Sequence, residues 1–322
     1  MTIQSLFHAR STALEVVHGH ELSGKTVLIT GASSGIGVET ARALVHAGAE
    51  VILAVRDARK GAAVAQELRE STGNLRVHVL LLDLSSLASI RQAATQFAQQ
   101  WPKLDILINN AGVAAAPQGT TTDGFETHFG TNHVGHFLLT SLLLPALLAA
   151  APSRVVSLTS SGHRRSDIHW EDINYQYRPY DKWQAYGQSK TANALFAAGF
   201  TQCYASQGVT ANAVHPGGIL NTGLQKYLTM EEQRALGWYD AEGNPNPLAK
   251  TVEQGAATTV WAAVGPELAG IGGLYLEDCH EAEIISPENA NTANRYVGYM
   301  PYARSPESAE RLWCVTQEMI GE

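Results

Sequence analysis

Lys25-Thr26-Val27-Leu28-Ile29-Thr30-Gly31-Ala32-Ser33-Ser34-Gly35-Ile36-Gly37 decides the fold of this chain. The first six residues are a short apolar run that reads as a buried strand, the next seven are a glycine turn, and a helical pattern over 36–47 follows. Gly31 permits a tight exit from the strand, Gly35 lets a phosphate approach the backbone, and Gly37 lets the helix pack closely. The unpaired N–H groups of the helix start then face the anion, so Gly31, Ser33, Ser34, Gly35, Ile36 and Gly37 are expected to hold a dinucleotide.

Outward from this turn, strand and helix patterns alternate. A strand at 50–55 closes the first βαβ unit, and helices near 58–70 and 86–100 are interleaved with strands at 76–82 and 104–108. A long helix is expected from about 124 to 148, then a strand at 154–158, a helix at 183–205, a strand at 209–214 and a last strand at 272–276. Such alternation predicts an α/β fold: a doubly wound parallel sheet with helices on both faces. Without a linker-like break, it is read as one domain over 24–280, with an N-terminal arm at 1–23 and a C-terminal extension at 281–322 packed on the same domain. Two polar stretches containing Pro or Gly interrupt the rhythm. Residues 162–182 fit a surface insertion as well as a functional loop, whereas 225–250 are expected to cover substrate, because Leu224, Tyr227, Leu228, Met230, Leu236 and Trp238 give them an apolar face.

Composition narrows the function. With 45% apolar residues the chain can bury a substantial core, and a net charge of −8 without a basic stripe argues against nucleic acid. Three widely spaced cysteines indicate neither a disulfide framework nor a zinc site, which fits a reducing cytoplasm. The N-terminus lacks a charged-then-apolar signal pattern. The most apolar run, 137–151, contains Pro145 and reads as a core helix too short to cross a bilayer. His128, His133 and His136 share the long helix, but no cysteine or carboxylate completes a ligand set, so no metal is expected.

Tyr186 and Lys190 stand four residues apart, which on a helix places phenol and ammonium on one face. A free phenol titrates near ~10, and a positive charge beside it is expected to lower that value and suit it to proton transfer. Together with the G-x-x-x-G-x-G spacing, this pair resembles the short-chain dehydrogenase/reductase family, whose fold is Rossmann-type. The resemblance extends through Asp83, Asn109-Asn110-Ala111-Gly112, Asn132-His133-Val134-Gly135, the pair Ser160-Ser161 and Pro216-Gly217, and so covers residues 24–222. The opening 11–25 and Glu253-Gln254-Gly255-Ala256 are similar to the retinol dehydrogenase and WW-domain-containing oxidoreductase branch, without a WW domain in these 322 residues.

The resemblance implies a catalytic set of Asn132, Ser160, Tyr186 and Lys190. Tyr186 would be the general acid or base, Ser160 would hold the carbonyl oxygen, and Lys190 would also hydrogen-bond the nicotinamide ribose. Asn132 would bend its helix and hold a water linking Lys190 to solvent. Ser160 is preferred to Ser161 because the strand 154–160 matches the family strand that ends in a serine pair. The 26 residues from Ser160 to Tyr186 are about twice the gap of the simplest members, a length that the retinol dehydrogenase branch shares.

For the cofactor, Asp83 and Leu84 are expected near the adenine, Asn110, Ala111 and Gly112 along the ribose, and Pro216, Gly217 and Ile219 at the nicotinamide amide. The family places Thr or Ser five residues after the proline, where this chain has Asn221 and then Thr222. At the end of the second strand, an acidic residue would bind the ribose hydroxyls of NAD. Here Val55 stands there and Arg56 follows, so NADP is favoured over NAD. The expected activity is NADP-dependent interconversion of an apolar alcohol and its ketone or aldehyde, in a chain that could form a homo-oligomer. Two alternatives are carbon–carbon double-bond reduction and a non-catalytic dinucleotide sensor.

Overall fold

The computed structural model describes residues 2–220, 222–289 and 297–321. Among these, eight strands form one sheet: β1 (Thr26–Thr30), β2 (Glu50–Val55), β3 (Val77–Leu81), β4 (Ile106–Asn109), β5 (Ser153–Leu158), β6 (Val209–His215), β7 (Tyr275–Glu277) and β8 (His280–Glu281). Their order is β3-β2-β1-β4-β5-β6-β7-β8. The first seven pair in parallel and β8 is antiparallel to β7. β1 lies between β2 and β4, so chain direction across the sheet reverses there and a crevice opens at the carboxyl ends of the strands. Thr30, Asn109, Leu158 and His215 end their strands along that edge.

Strand side chains alternate between two cores. Leu28 and Ile52 pack with α4 (Leu87–Gln100), α5 (Gly135–Ala149), α6 (Lys182–Tyr204) and α9 (Pro306–Ile320). Val27, Ile29 and Leu53 pack on the other face with α1 (Ala13–Val17), α2 (Ile36–His46), α3 (Ala58–Thr72) and α8 (Val252–Val264). Because both faces are covered, β2 is buried from Val51 to Val55, which explains its continuous apolar run rather than an alternating one.

The long helix differs from its expected course. It begins at 127, a few residues past the expected start near 124, and runs through a π-helical turn, Phe129–Val134. The buried Glu126 carboxylate accepts the Phe129 N–H at 2.8 Å, while Thr121 and Phe125 close a turn ahead of it. A side-chain cap at that point sets the helix start. Joined to α5, the helix spans Phe129–Ala149, 21 residues that are long and apolar enough to cross a membrane by length and composition. The 137–151 reading made it too short. In the fold its Phe129, Val134, Phe137, Leu138, Leu139, Leu143 and Leu147 belong to the core.

Four helices were not placed from the sequence: α1, α7 (Met230–Ala235), α8 and α9. Three of them carry a reciprocal cap that the sequence displays, Thr12 with Glu15, Thr229 with Glu232 and Thr251 with Gln254. α9 lays Trp313 against Phe137 at 4.8 Å between ring centroids and parallel to Phe196, so the extension is part of the core on the α6 side.

Candidate active site

A cleft of about 1600 Å³ runs along the strand ends, from the glycine turn to the segment that follows β6. All of the expected cofactor positions, and Ser160, Tyr186 and Lys190, line it.

At one end, Gly35 begins α2 with φ +60° and no side chain caps the helix, so its first-turn amides are open toward the cleft. A Cβ on Gly37 would lie 2.7 Å from Asn110 Nδ2 and from Gly31 O, which is why the turn can press against the β4 exit only with glycine there. Asn110 donates to Thr30 O at 2.7 Å and ties the two strand ends together. The cradle and the uncapped helix start fit a dinucleotide pyrophosphate. Beside it, Arg56 and Lys60 both line the cleft, while Asp57 accepts the Arg59 and Lys60 N–H groups as the N-cap of α3. The Asp57 carboxylate is therefore committed to the helix. Lys60 was not anticipated; it is one helical turn from Arg56 in sequence, so a basic pair at i and i+4 was the available signal. Asp83 also lines the cleft and binds the Ser85 backbone and hydroxyl.

In the middle, β5 ends beside α6. Ser160 Oγ accepts the Gly162 N–H at 3.0 Å, leaving its own hydrogen for another acceptor, and Ser160 and Tyr186 line the same part of the cleft. Lys190, 4% exposed, donates to Leu158 O at 2.9 Å and stands 5.8 Å from the Tyr186 ring centroid. The expected lowering of the phenol by Lys190 is not what this geometry gives. Burial raises the Tyr186 pKa, opposed only by the Ser160 side chain, and burial lowers Lys190 to about 7. Desolvation outweighs the charge because the ammonium is itself desolvated and turned to a carbonyl.

Asn132 lies in the π-helical turn. Its side chain accepts the Val113 N–H at 2.8 Å and donates to Val113 O and Ser189 Oγ, so it pins the 110–113 loop to α6. Its carbonyl meets His136 Nδ1 at 2.8 Å, and His136 Nε2 meets Thr30 Oγ1. The other two helix histidines are also buried. His128 Nε2 accepts the Ala116 N–H, so Nδ1 carries the proton toward Glu126, and His133 pairs with Thr316 of α9. Among the described residues no group of three His, Cys, Asp or Glu side chains could hold a metal.

At the far end, Pro216, Gly217 and Ile219 line the cleft, and the Lys250 stem packs on Gly217 while its ammonium pairs with Asp278. Asn221 lies outside the described residues. Thr222 places its methyl 3.7 Å from where a Gly35 Cβ would stand, so it reaches the phosphate end. Of the apolar residues in the 225–250 region, Leu224, Leu228, Leu236 and Trp238 line the cleft. Tyr227 and Met230 do not: both are exposed, and the Lys226 ammonium sits over the Tyr227 ring. Trp183 links this segment to the site, 6.2 Å from Trp238 and 6.3 Å from Tyr186 between ring centroids. Its position three residues before Tyr186 puts both on one helix face, a signal present in the sequence but not used. The 162–182 stretch contributes Gly162, Arg164, Arg165 and Asp181 to the lining and is tied to α6 by Thr191 and Gln188, which bond its backbone, while Tyr177 is exposed.

A sequence profile of the short chain dehydrogenase family matches residues 25–233. Retinol dehydrogenase 12 of Mus musculus is 43% identical over 302 residues, which are 94% of this chain and 88% of that protein. Among solved structures, an uncharacterized protein from Mycobacterium paratuberculosis is 32% identical with a TM-score of 0.70, covering 95% of this chain and 97% of that one. RhlG of Pseudomonas aeruginosa, in an active-site complex with NADP, is 26% identical with a TM-score of 0.62, covering 80% and 95%.

Because burial lowers Lys190 to about 7, the unfolded chain holds one more proton at this side chain from about pH 7 up to its ordinary value near ~10.4. Stability from this group therefore rises with pH across that window. Lys190→Met should reduce the slope of unfolding free energy against pH there by about 1.4 kcal/mol per pH unit, measured by urea unfolding. An unchanged slope would show that Lys190 titrates normally.

Proposed function

The chain belongs to the short-chain dehydrogenase family, and on that premise we propose that it is an NADP-dependent oxidoreductase interconverting an apolar alcohol and its ketone or aldehyde. The observation that carries this reading is the convergence of Ser160, Tyr186 and the buried Lys190 in one cleft, between the uncapped helix start and the apolar residues Leu224, Leu228, Leu236 and Trp238.

Nicotinamide, when bound, supplies or accepts the hydride. The chain's own groups handle the oxygen and its proton. Burial keeps the Tyr186 phenol protonated at neutral pH, which suits it to donate a proton to a developing alkoxide. Ser160, its lone pair engaged by Gly162, directs its hydrogen at the same oxygen and stabilises the charge that develops there. Lys190, near half-charged at pH 7, supports the phenol from below and is placed to bond a ribose hydroxyl. Asn132 holds the loop beside it, and the family resemblance gives it the water that connects Lys190 with solvent.

Arg56 and Lys60 support NADP over NAD, since their charges face the place of a 2′-phosphate while Asp57 is occupied as a helix cap. Leu224, Leu228, Leu236, Trp238 and Trp183 support an apolar substrate covered by the 225–250 segment, which would exclude water during transfer. Retinol-like alcohols are one such class. The three free cysteines fit the cytoplasm as its compartment.

Tyr186→Phe is expected to keep the fold and NADPH affinity while lowering kcat by about 10²-fold or more, because general acid–base catalysis commonly contributes ~10²–10⁴. Near-normal turnover of a ketone in that variant would remove Tyr186 from the role. NADPH should bind more tightly than NADH, and Arg56→Ala should shrink that preference by a charge-assisted contact worth about 1.5–3 kcal/mol. Equal affinities in the unaltered chain, by titration calorimetry, would make Arg56 a surface charge only.

A further inference from the structure

Ser160 must aim its hydroxyl across the cleft, yet it sits where β5 gives way to a short 3₁₀ turn, Ser161–Arg165. What fixes it is His163. The Ser160 carbonyl receives two hydrogen bonds from this one residue, from the His163 backbone N–H at 3.0 Å and from ring Nδ1 at 2.7 Å. The ring is fully buried, and its tautomer follows from its other contact: Nε2 lies 3.1 Å from the Met300 backbone nitrogen, which can only donate. Nε2 is therefore bare and the ring proton sits on Nδ1, where Ser160 needs it. Burial lowers the His163 pKa to about 4, so this neutral tautomer persists through the physiological range.

The C-terminal extension and β7 supply the rest of the mount. The Tyr302 hydroxyl donates to His163 O at 2.9 Å, and Tyr275 of β7 brings its hydroxyl to 3.2 Å from Nδ1 with ring centroids 5.1 Å apart. The segment carrying Met300 is itself held by the buried Glu277 carboxylate, which accepts the Gly298 N–H at 2.7 Å. The other side of the turn backs the catalytic phenol: a Cβ on Gly162 would stand 2.6 Å from Tyr186 Cε1. No residue of this mount other than Ser160 is part of the proposed proton chemistry, and the matched family profile ends at residue 233, before the extension begins.

We infer that His163 is a positioning residue for Ser160, oriented by the Met300 N–H, so that the segment 298–302 of the C-terminal extension is part of the support of the active site. The inference rests on the proposed role of Ser160. His163→Phe, which keeps the ring's shape but neither hydrogen bond, should lower kcat for ketone reduction by about tenfold or more while NADPH Kd and substrate KM move less than about twofold. His163→Asn, whose amide can still donate toward Ser160 O, should recover much of that loss. In a Ser160→Ala background, His163→Phe should add less than about twofold, because residues acting through one another are not additive. Full multiplication of the two losses, or an equal loss of NADPH affinity, would overturn the inference.

A turnover-independent measurement separates this failure from that of the parent reading. In ¹⁵N-histidine spectra at pH 7, His163 should carry its proton on Nδ1, and His163→Phe should speed hydrogen exchange at the Met300 amide. A proton on Nε2, or unchanged exchange, overturns the inference even in a chain that is active. If the unaltered chain reduces no carbonyl, the proposed function falls, while these two readouts still decide whether His163 holds Ser160 in place.

Discussion

Burial of the Lys190 ammonium beneath a buried phenol is the constraint on which the rest of the site depends. A charged lysine out of water is costly, and here a single carbonyl, Leu158 O, accepts from it among the described residues. The cost shows as a pKa brought down to about 7, and it is sustained because α6 is anchored along its length. Thr191 and Gln188 tie it to the 162–182 stretch, Asn132 bonds Ser189, and Trp313 of α9 packs against Phe196 and Phe200. Rigid surroundings of this kind can sustain a shifted buried lysine, and such shifts cluster at functional sites.

Sheet order converts this local arrangement into a site. The reversal between β1 and β4 opens the crevice, and β5 and β6 extend it, so the glycine turn, Ser160 and the Pro216-Gly217 segment lie along one edge although more than a hundred residues separate the first from the last. The cleft is chemically graded along that edge. Arg56 and Lys60 lie at the phosphate end, Ser160, Tyr186 and Lys190 in the middle, and Trp183, Trp238, Leu228 and Leu236 at the apolar end.

Much of this was legible in the sequence wherever one residue type answers one local demand. Glycines at 31, 35 and 37, the apolar β strands and the i, i+4 Tyr–Lys pair each announce a backbone or side-chain requirement. The parts that were not legible depend on what arrives from elsewhere in the chain. The helix start after Glu126 depends on its carboxylate folding back onto the Phe129 N–H, and the raised Tyr186 pKa depends on burial, which no spacing reveals. The exposure of Tyr227 and Met230 was not legible because 225–250 reads as a loop, without the helix α7 that starts at Met230. Likewise His163 looked like one more loop residue until Met300, 137 residues away, fixed its tautomer.

The most direct test of carbonyl chemistry at Tyr186 uses an α,β-unsaturated ketone and NADPH carrying deuterium at the transferable position of the nicotinamide. Proton delivery to oxygen by the Ser160–Tyr186 pair predicts an allylic alcohol with deuterium on the carbinol carbon and the double bond intact. Deuterium at the β-carbon of a saturated ketone would contradict it, as would consumption of no NADPH across aldehydes and ketones of graded size.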